Sequence, residues 1–323
     1  MTSPARAAAA AALITCTMVS SRPISAQVAN GSSRDKLVVS AAWLAEHLND
    51  RDLVILQVGR KATYDAGHVP GARLVEFDAG ALAAPMDHTG ASPDHVMLEM
   101  PSPQALHDQL AALGISDHSR ILVVPADNYW SPSTRIVLTL DYAGLSNVMW
   151  LDGGTKGWTD YGRSLTAEVP AVKPGTLSPL KIRPIVVDHE FVRSHLRTAG
   201  FAIVDARTRS FYDGIPAQRM GDGPPPKLGH IPGALSAPYD QFAVGNAAAG
   251  GTTLRSAEEI AAMFRAAGVK PGDTIVGYCH IGQQATAMLF AARTLGFNVL
   301  LYDGSFTEWQ KRDLPVENPS AKK

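Results

Sequence analysis

Short apolar runs alternate along this chain with longer stretches in which apolar residues recur at three- and four-residue spacing. The runs F-A-I-V-D at 201–205, T-I-V-G-Y at 274–278 and V-L-L-Y at 299–302 read as strands buried on both faces. Ser256 stands three residues before Glu259, a capping box that opens a helix, and Gly268 ends it. Ser102 and Pro103 open a matching helix earlier in the chain, and Gly114 closes it. From Gln283 onward, Met288, Leu289, Ala292 and Leu295 form one apolar stripe that stops at Gly296. Ser305 and Glu308 predict the cap of one more short helix. Regular alternation of strand and helix predicts an α/β fold, a mainly parallel sheet flanked by helices on both faces. In such sheets ligands sit beyond the carboxyl ends of the strands.

The pattern occurs twice. G-H-V-P-G-A at 67–72 returns as G-H-I-P-G-A at 229–234, and D-G-G at 152–154 with Trp158 returns as D-G-S at 303–305 with Trp309. L-V-V-S at 37–40, ahead of Trp43 and His47, parallels I-V-V-D at 185–188, ahead of Phe191 and His195. Three correspondences in one order predict two tandem domains, at 35–168 and 184–318. Between them, residues 169–183 carry Pro170, Pro174 and Pro179 and read as a linker of restricted flexibility. Residues 212–228, rich in Gly and Pro, interrupt only the second repeat. They read as an insertion loop, either the rim of a site or a surface excursion.

With 46% hydrophobic and 18% charged residues the chain can fill two cores. Its formal net charge of −1 gives no electrostatic basis for binding nucleic acid or an anionic membrane, so any anion must be recognised locally. Residues 1–26 differ from the rest. Arg6 precedes an apolar run at 7–19, and small residues follow up to Ala26, the pattern of a secretory signal peptide. That run is too short for a stable bilayer span, so the expected location is periplasmic or secreted. A lipid anchor on Cys16 and an uncleaved N-terminal anchor stay open as other readings. Cleavage near Ala26 leaves Cys279 as the single cysteine, unable to form an internal disulfide.

Cys279 ends one apolar run and is followed by H-I-G-Q-Q-A-T at 280–286, where a helix begins. A thiol at a helix opening faces unpaired N–H groups and the positive end of the helix dipole, which favour the thiolate. The expectation is a nucleophile that titrates below the ordinary cysteine value of ~8.5. Gly282 lets the backbone turn tightly toward the sulfur.

The two G-H-[VI]-P-G-A segments, D-A-R at 205–207, the Cys279 loop and the D-G-G/S…W segments together resemble the rhodanese family of sulfurtransferases in its tandem form. The resemblance covers nearly all of the chain beyond residue 26. It implies that a sulfane sulfur moves from thiosulfate or 3-mercaptopyruvate to cyanide or a thiol through a Cys279 persulfide. It implies no cofactor, a small anionic donor and a cyanide or thiol acceptor; with the near-neutral charge and the short apolar run, the expected protein is a monomer without nucleic-acid partners or stable membrane insertion. Arg207 is then expected near the Cys279 loop, binding the anionic donor through paired hydrogen bonds. His280, Ile281, Gly282, Gln283 and Gln284 complete the expected substrate-binding set. Many thiosulfate-using relatives carry two basic residues after the cysteine and mercaptopyruvate-using ones carry small residues. His280 and Ile281 follow neither pattern. Asp205, His68 and His230 are expected to be structural.

The first repeat lacks the thiol. Counting back without gaps from Gly144 against Gly296 puts Asp127 opposite Cys279, and V-G-R at 58–60 is set opposite D-A-R at 205–207, so that the acid is lost. The first domain is therefore expected to be non-catalytic and to wall one side of the cleft. A cysteine phosphatase or arsenate reductase would need an arginine six residues after the cysteine, where this chain has Ala285. A persulfide carrier or binding module without rapid turnover is the other competing reading.

Overall fold

The computed structural model describes residues 32–77, 80–83, 96–127, 130–215, 227–245 and 251–322. The signal-like segment 1–26, His88, His95 and residues 216–226 of the insertion lie outside the described residues. In the first repeat the strands are β1 (Val38–Val39), β2 (Leu53–Val58), β3 (Arg73–Val75), β4 (Arg120–Pro125) and β5 (Val148–Leu151). Its helices are α1 (Ser32–Leu37), α2 (Ala41–His47), α3 (Lys61–Ala66), α4 (Pro103–Ala112), α5 (Trp130–Tyr142) and α6 (Gly154–Asp160). The second repeat has β6 (Val186–Val187), β7 (Phe201–Asp205), β8 (Leu235–Ser236), β9 (Ala243–Val244), β10 (Thr253–Leu254), β11 (Thr274–Tyr278) and β12 (Val299–Tyr302). Its helices are α7 (His189–Ser194), α8 (Arg209–Tyr212), α9 (Ala257–Ala267), α10 (Gln283–Thr294) and α11 (Ser305–Lys311).

Each repeat builds one five-stranded sheet, ordered β1-β5-β4-β2-β3 and β6-β12-β11-β7-β8, and every pairing in both is parallel. The two orders are the same order, which gives the internal repeat its structural meaning. Apolar side chains pack on both faces of each sheet, so the strands read as nearly continuous apolar runs. The local signals act as expected: Ser256 and Glu259 form the reciprocal capping box of α9, and Gly268 closes it in a left-handed conformation. Ser102 caps α4 with Pro103 behind it.

The recurrent histidines hold equivalent corners. The His68 ring stacks on Tyr64 with centroids 3.8 Å apart, and its Nδ1 bonds the Tyr64 carbonyl at 2.8 Å. His230 repeats this on Tyr212, at 3.7 Å and 2.8 Å. Each tyrosine hydroxyl in turn donates to a carbonyl of the following turn, Ala72 or Ala234.

Strand register aligns the two halves and corrects the gap-free count. Ile121 pairs with Val148 as Ile275 pairs with Val299, so Val124 corresponds to Tyr278 and Pro125 to Cys279. Gln57 pairs with Val124 as Asp205 pairs with Tyr278, which sets Gln57 opposite Asp205 and Gly59 opposite Arg207. Gly154 and Ser305 confirm this register, because both adopt the left-handed conformation (φ +57° and +54°) at the same point of the repeat. Counting back from Gly144 misplaced Asp127 because the first half carries two more residues from Pro125 to that glycine than the second carries from Cys279 to Gly296.

The halves share one interior. Helix α5 packs against α10, and a single apolar core continues from one sheet to the other. Trp130, Trp150 and Phe290 meet there with ring centroids 5.3 to 6.1 Å apart. Helix α10 is accordingly buried on all sides from Ala285 to Ala292, whereas its sequence shows only a stripe. The first domain covers the face that the stripe left to solvent.

Candidate active site

Strand β11 delivers Cys279 to the carboxyl edge of the second sheet, and Gly282 turns the chain into α10. Cys279 is buried, and the backbone N–H groups of Ile281, Gly282, Gln284 and Ala285 point at its sulfur. Such a ring of donors is an anion cradle. It closes only because Gly282 has φ +79°, and a Cβ there would lie 2.6 Å from Asp303 Oδ1. The Cys279 amide donates to Ser305 Oγ at 3.2 Å, while its carbonyl accepts from the Phe306 amide at 3.1 Å. Ser305 therefore serves the loop, with its hydroxyl donating to the Tyr302 carbonyl, and does not cap α11 as its sequence suggested.

The electrostatics differ from the helix-terminus expectation. Burial pushes the Cys279 thiol up, and the four N–H groups pull the other way without overcoming it. The resting thiol is neutral, and the cradle is reserved for charge that develops on sulfur. His280 is neutral too. Burial, followed by the nearby Arg207 charge, holds its imidazole down at about 4.

Arg207 lies beside this sulfur, but its guanidinium is committed elsewhere. Nε bonds both Asp205 oxygens at 3.0 and 3.1 Å, while Nη2 bonds Asp205 Oδ2 at 2.6 Å and the Gly229 carbonyl at 2.7 Å. The Phe306 ring covers it at 3.9 Å, and Tyr278 donates its hydroxyl to Asp205 at 2.8 Å. Two parallel hydrogen bonds from Arg207 to a donor would need nitrogens that Asp205 already occupies. Arg207 is thus the floor of the site. Nη1 alone carries no hydrogen bond among the described residues.

The other expected residues separate in role. Ile281 packs into the core and offers only its N–H. Gln283 turns toward the first domain, 3.4 Å from Ser131 Oγ. Gln284 reaches the Tyr239 side chain, which also lies within the field of Cys279.

This geometry, set on two sheets of one topology, can be compared with known proteins. The Rhodanese-like domain family matches residues 40–161 and again 188–312. The chain belongs to the rhodanese family. It is 33% identical over 300 residues to the 3-mercaptopyruvate sulfurtransferase of Escherichia coli K12, covering 86% of this chain and 97% of that one. A sulfur carrier protein of Thermus thermophilus is 29% identical over 289 residues, covering 86% and 95%. Among solved structures, the 3-mercaptopyruvate sulfotransferase SseA of Escherichia coli superimposes with a TM-score of 0.68 at 28% identity, over 84% of this chain and 98% of its own.

Within this rhodanese frame, two site neighbours escaped the sequence reading. Phe211 sets its ring edge-on to His280 at 4.6 Å, and Tyr239 stands beside Gln284 and Cys279. Both come from connections after β7 and β8, the strands next to β11 and at the sheet edge. Their positions after strand ends were the only available signal.

Proposed function

We propose that this sulfurtransferase moves a sulfane sulfur from thiosulfate or 3-mercaptopyruvate to cyanide or a thiol through a persulfide on Cys279. The observation that carries the reading is the convergence of four backbone N–H groups on the Cys279 sulfur. Cys279, once its proton has passed to solvent, attacks the outer sulfur of the donor as thiolate, forming an S–S bond as that sulfur's bond to the rest of the donor breaks. Sulfite leaves thiosulfate with the bonding pair; pyruvate leaves mercaptopyruvate once its carbon takes a proton. The acceptor then attacks the terminal sulfur and Cys279 departs as thiolate, giving thiocyanate from cyanide or a new persulfide from a thiol. The same N–H groups hold the negative charge at each stage, and burial strengthens them.

Export with loss of residues 1–26 belongs to the same proposal. One experiment addresses both parts: mass measurement of protein isolated from its own cells, after exposure to each donor. The expected mass is that of the chain from Gln27 onward, plus one sulfur that Cys279→Ser does not acquire. Failure of both donors to add sulfur defeats the transfer reading. The likeness to a sulfur carrier favours a second reading, in which the persulfide is held for a partner. Steady-state thiocyanate formation separates the two, because a carrier loads once and stops.

A further inference from the structure

A buried side chain that binds the active-site loop from outside comes from the domain without a thiol. Ser131, Thr134 and Arg135 share one face of α5, at the spacing of neighbours on a helix. That face lies along the start of α10: Ser131 Oγ meets Gln283 Nε2 at 3.4 Å, and the Thr134 and Thr286 hydroxyls meet at 3.0 Å. Arg135 is 1% exposed. Its Nη1 donates to Asp303 Oδ1 at 2.5 Å and to the Gly282 carbonyl at 3.3 Å. Its Nη2 donates to the Leu98 carbonyl at 2.6 Å and to Asp303 Oδ2 at 3.2 Å. Asp303 Oδ2 also accepts the Met100 amide at 2.8 Å.

We propose that Arg135 is a positioning residue for the Cys279 loop, acting on the reaction through Gly282 and Asp303. The inference rests on the sulfur-transfer reading and adds the part the first domain plays in it. Gly282 is the weak point of the cradle, because a glycine peptide unit rotates at little steric cost. Its carbonyl, turned inward, would set a negative oxygen toward an anionic sulfur and pull adjacent N–H groups off target. Arg135 holds that carbonyl outward. Through Asp303 it also fixes the turn that ends in Ser305, whose hydroxyl accepts the Cys279 amide at 3.2 Å. Both ends of the loop are therefore tied to one guanidinium. Its planar fork suits this task, because four acceptor atoms on three segments must be satisfied together.

Arg135→Lys tests this in the full chain, since it keeps the charge and loses the fork. The expected result is a folded protein with KM changed less than about twofold and kcat lowered about tenfold or more. The Cys279 thiolate midpoint, followed by ultraviolet absorbance against a Cys279→Ser blank, should rise by about half a pH unit or more as the N–H groups lose their aim. If Arg135→Lys does not fold, the double variant Arg135→Met/Asp303→Leu removes both buried charges, and the same two changes are expected of it. A folded variant of either kind with native kcat and native midpoint overturns the proposal. The midpoint needs no sulfur donor, so it judges Arg135 even if the native protein takes up no sulfur and the transfer reading fails.

Discussion

In one half of the molecule the second central strand ends on a thiol; in the other it ends on a proline. Around these points the two halves keep the same strand order, the same histidine corner and the same left-handed turn before the last helix. What changes is chemistry at three matched positions: Cys279 against Pro125, Asp205 against Gln57, and Arg207 against Gly59. Pro125 cannot accept sulfur and offers no amide for a partner like Ser305, whose place Gly154 takes. The first half has kept the scaffold and turned a helix toward the other site. A repeat without the thiol still brings buried surface and, through Arg135, a fixed charge to the loop of the other.

The comparison breaks first at the thiol. Cys279→Ser should lower sulfur transfer by roughly 10³-fold or more, because the hydroxyl is a far weaker nucleophile and forms no persulfide. Pro125→Cys placed in that variant should restore nothing, since residues 126–129 that follow it include no glycine to do what Gly282 does after Cys279. Recovery of donor-dependent thiocyanate formation by the double variant would show that the scaffold alone suffices.

Much of the fold follows from local signals. The capping box, the Pro103 start, the glycine stops and the doubled motifs are short-range, and each appears where its chemistry requires. The site was legible as far as Cys279 and Gly282, because a strand-to-helix turn is also local. Arg135, Phe211 and Tyr239 were not legible, since only tertiary packing brings residues so distant in sequence to the loop that carries Cys279. The pairing that occupies most of the Arg207 guanidinium was not legible for a related reason. Its partner Asp205 lies two residues away, but burial makes their pairing obligatory, and sequence does not report burial.

The matched pair Asp205 and Gln57 gives the second test. Asp205→Ala leaves Arg207 buried with an unpaired charge and removes the acceptor of Tyr278, so unfolding free energy should fall by about 3–5 kcal/mol. Gln57→Ala removes one neutral hydrogen bond, from the Val69 amide at 3.1 Å, and should cost about 1–2 kcal/mol. Denaturant unfolding measures both. Equal losses would mean that the ion pair is no more deeply built into the second half than an amide is into the first.

The smallest effect concerns pH, read at the matched loop position where only the second half carries titratable side chains. Cys279 and His280 titrate, whereas their counterparts Pro125 and Ala126 do not. For His280 the folded value is lowered to about 4, so the unfolded chain binds the proton first as pH falls. Stability is then lost from the ordinary histidine value near ~6.5 down to about 4, by at most about 1.4 kcal/mol per pH unit. For Cys279 the folded value is raised, so the unfolded chain loses the proton first, and stability falls as pH climbs above ~8.5. Between these limits both groups are neutral and their contributions are flat. Thermal melts across pH should show His280→Ala losing the acid slope and Cys279→Ser losing the alkaline one. An alkaline slope that persists unchanged in Cys279→Ser would assign it to buried tyrosines such as Tyr278, which burial also raises, and would remove the thiol as its source.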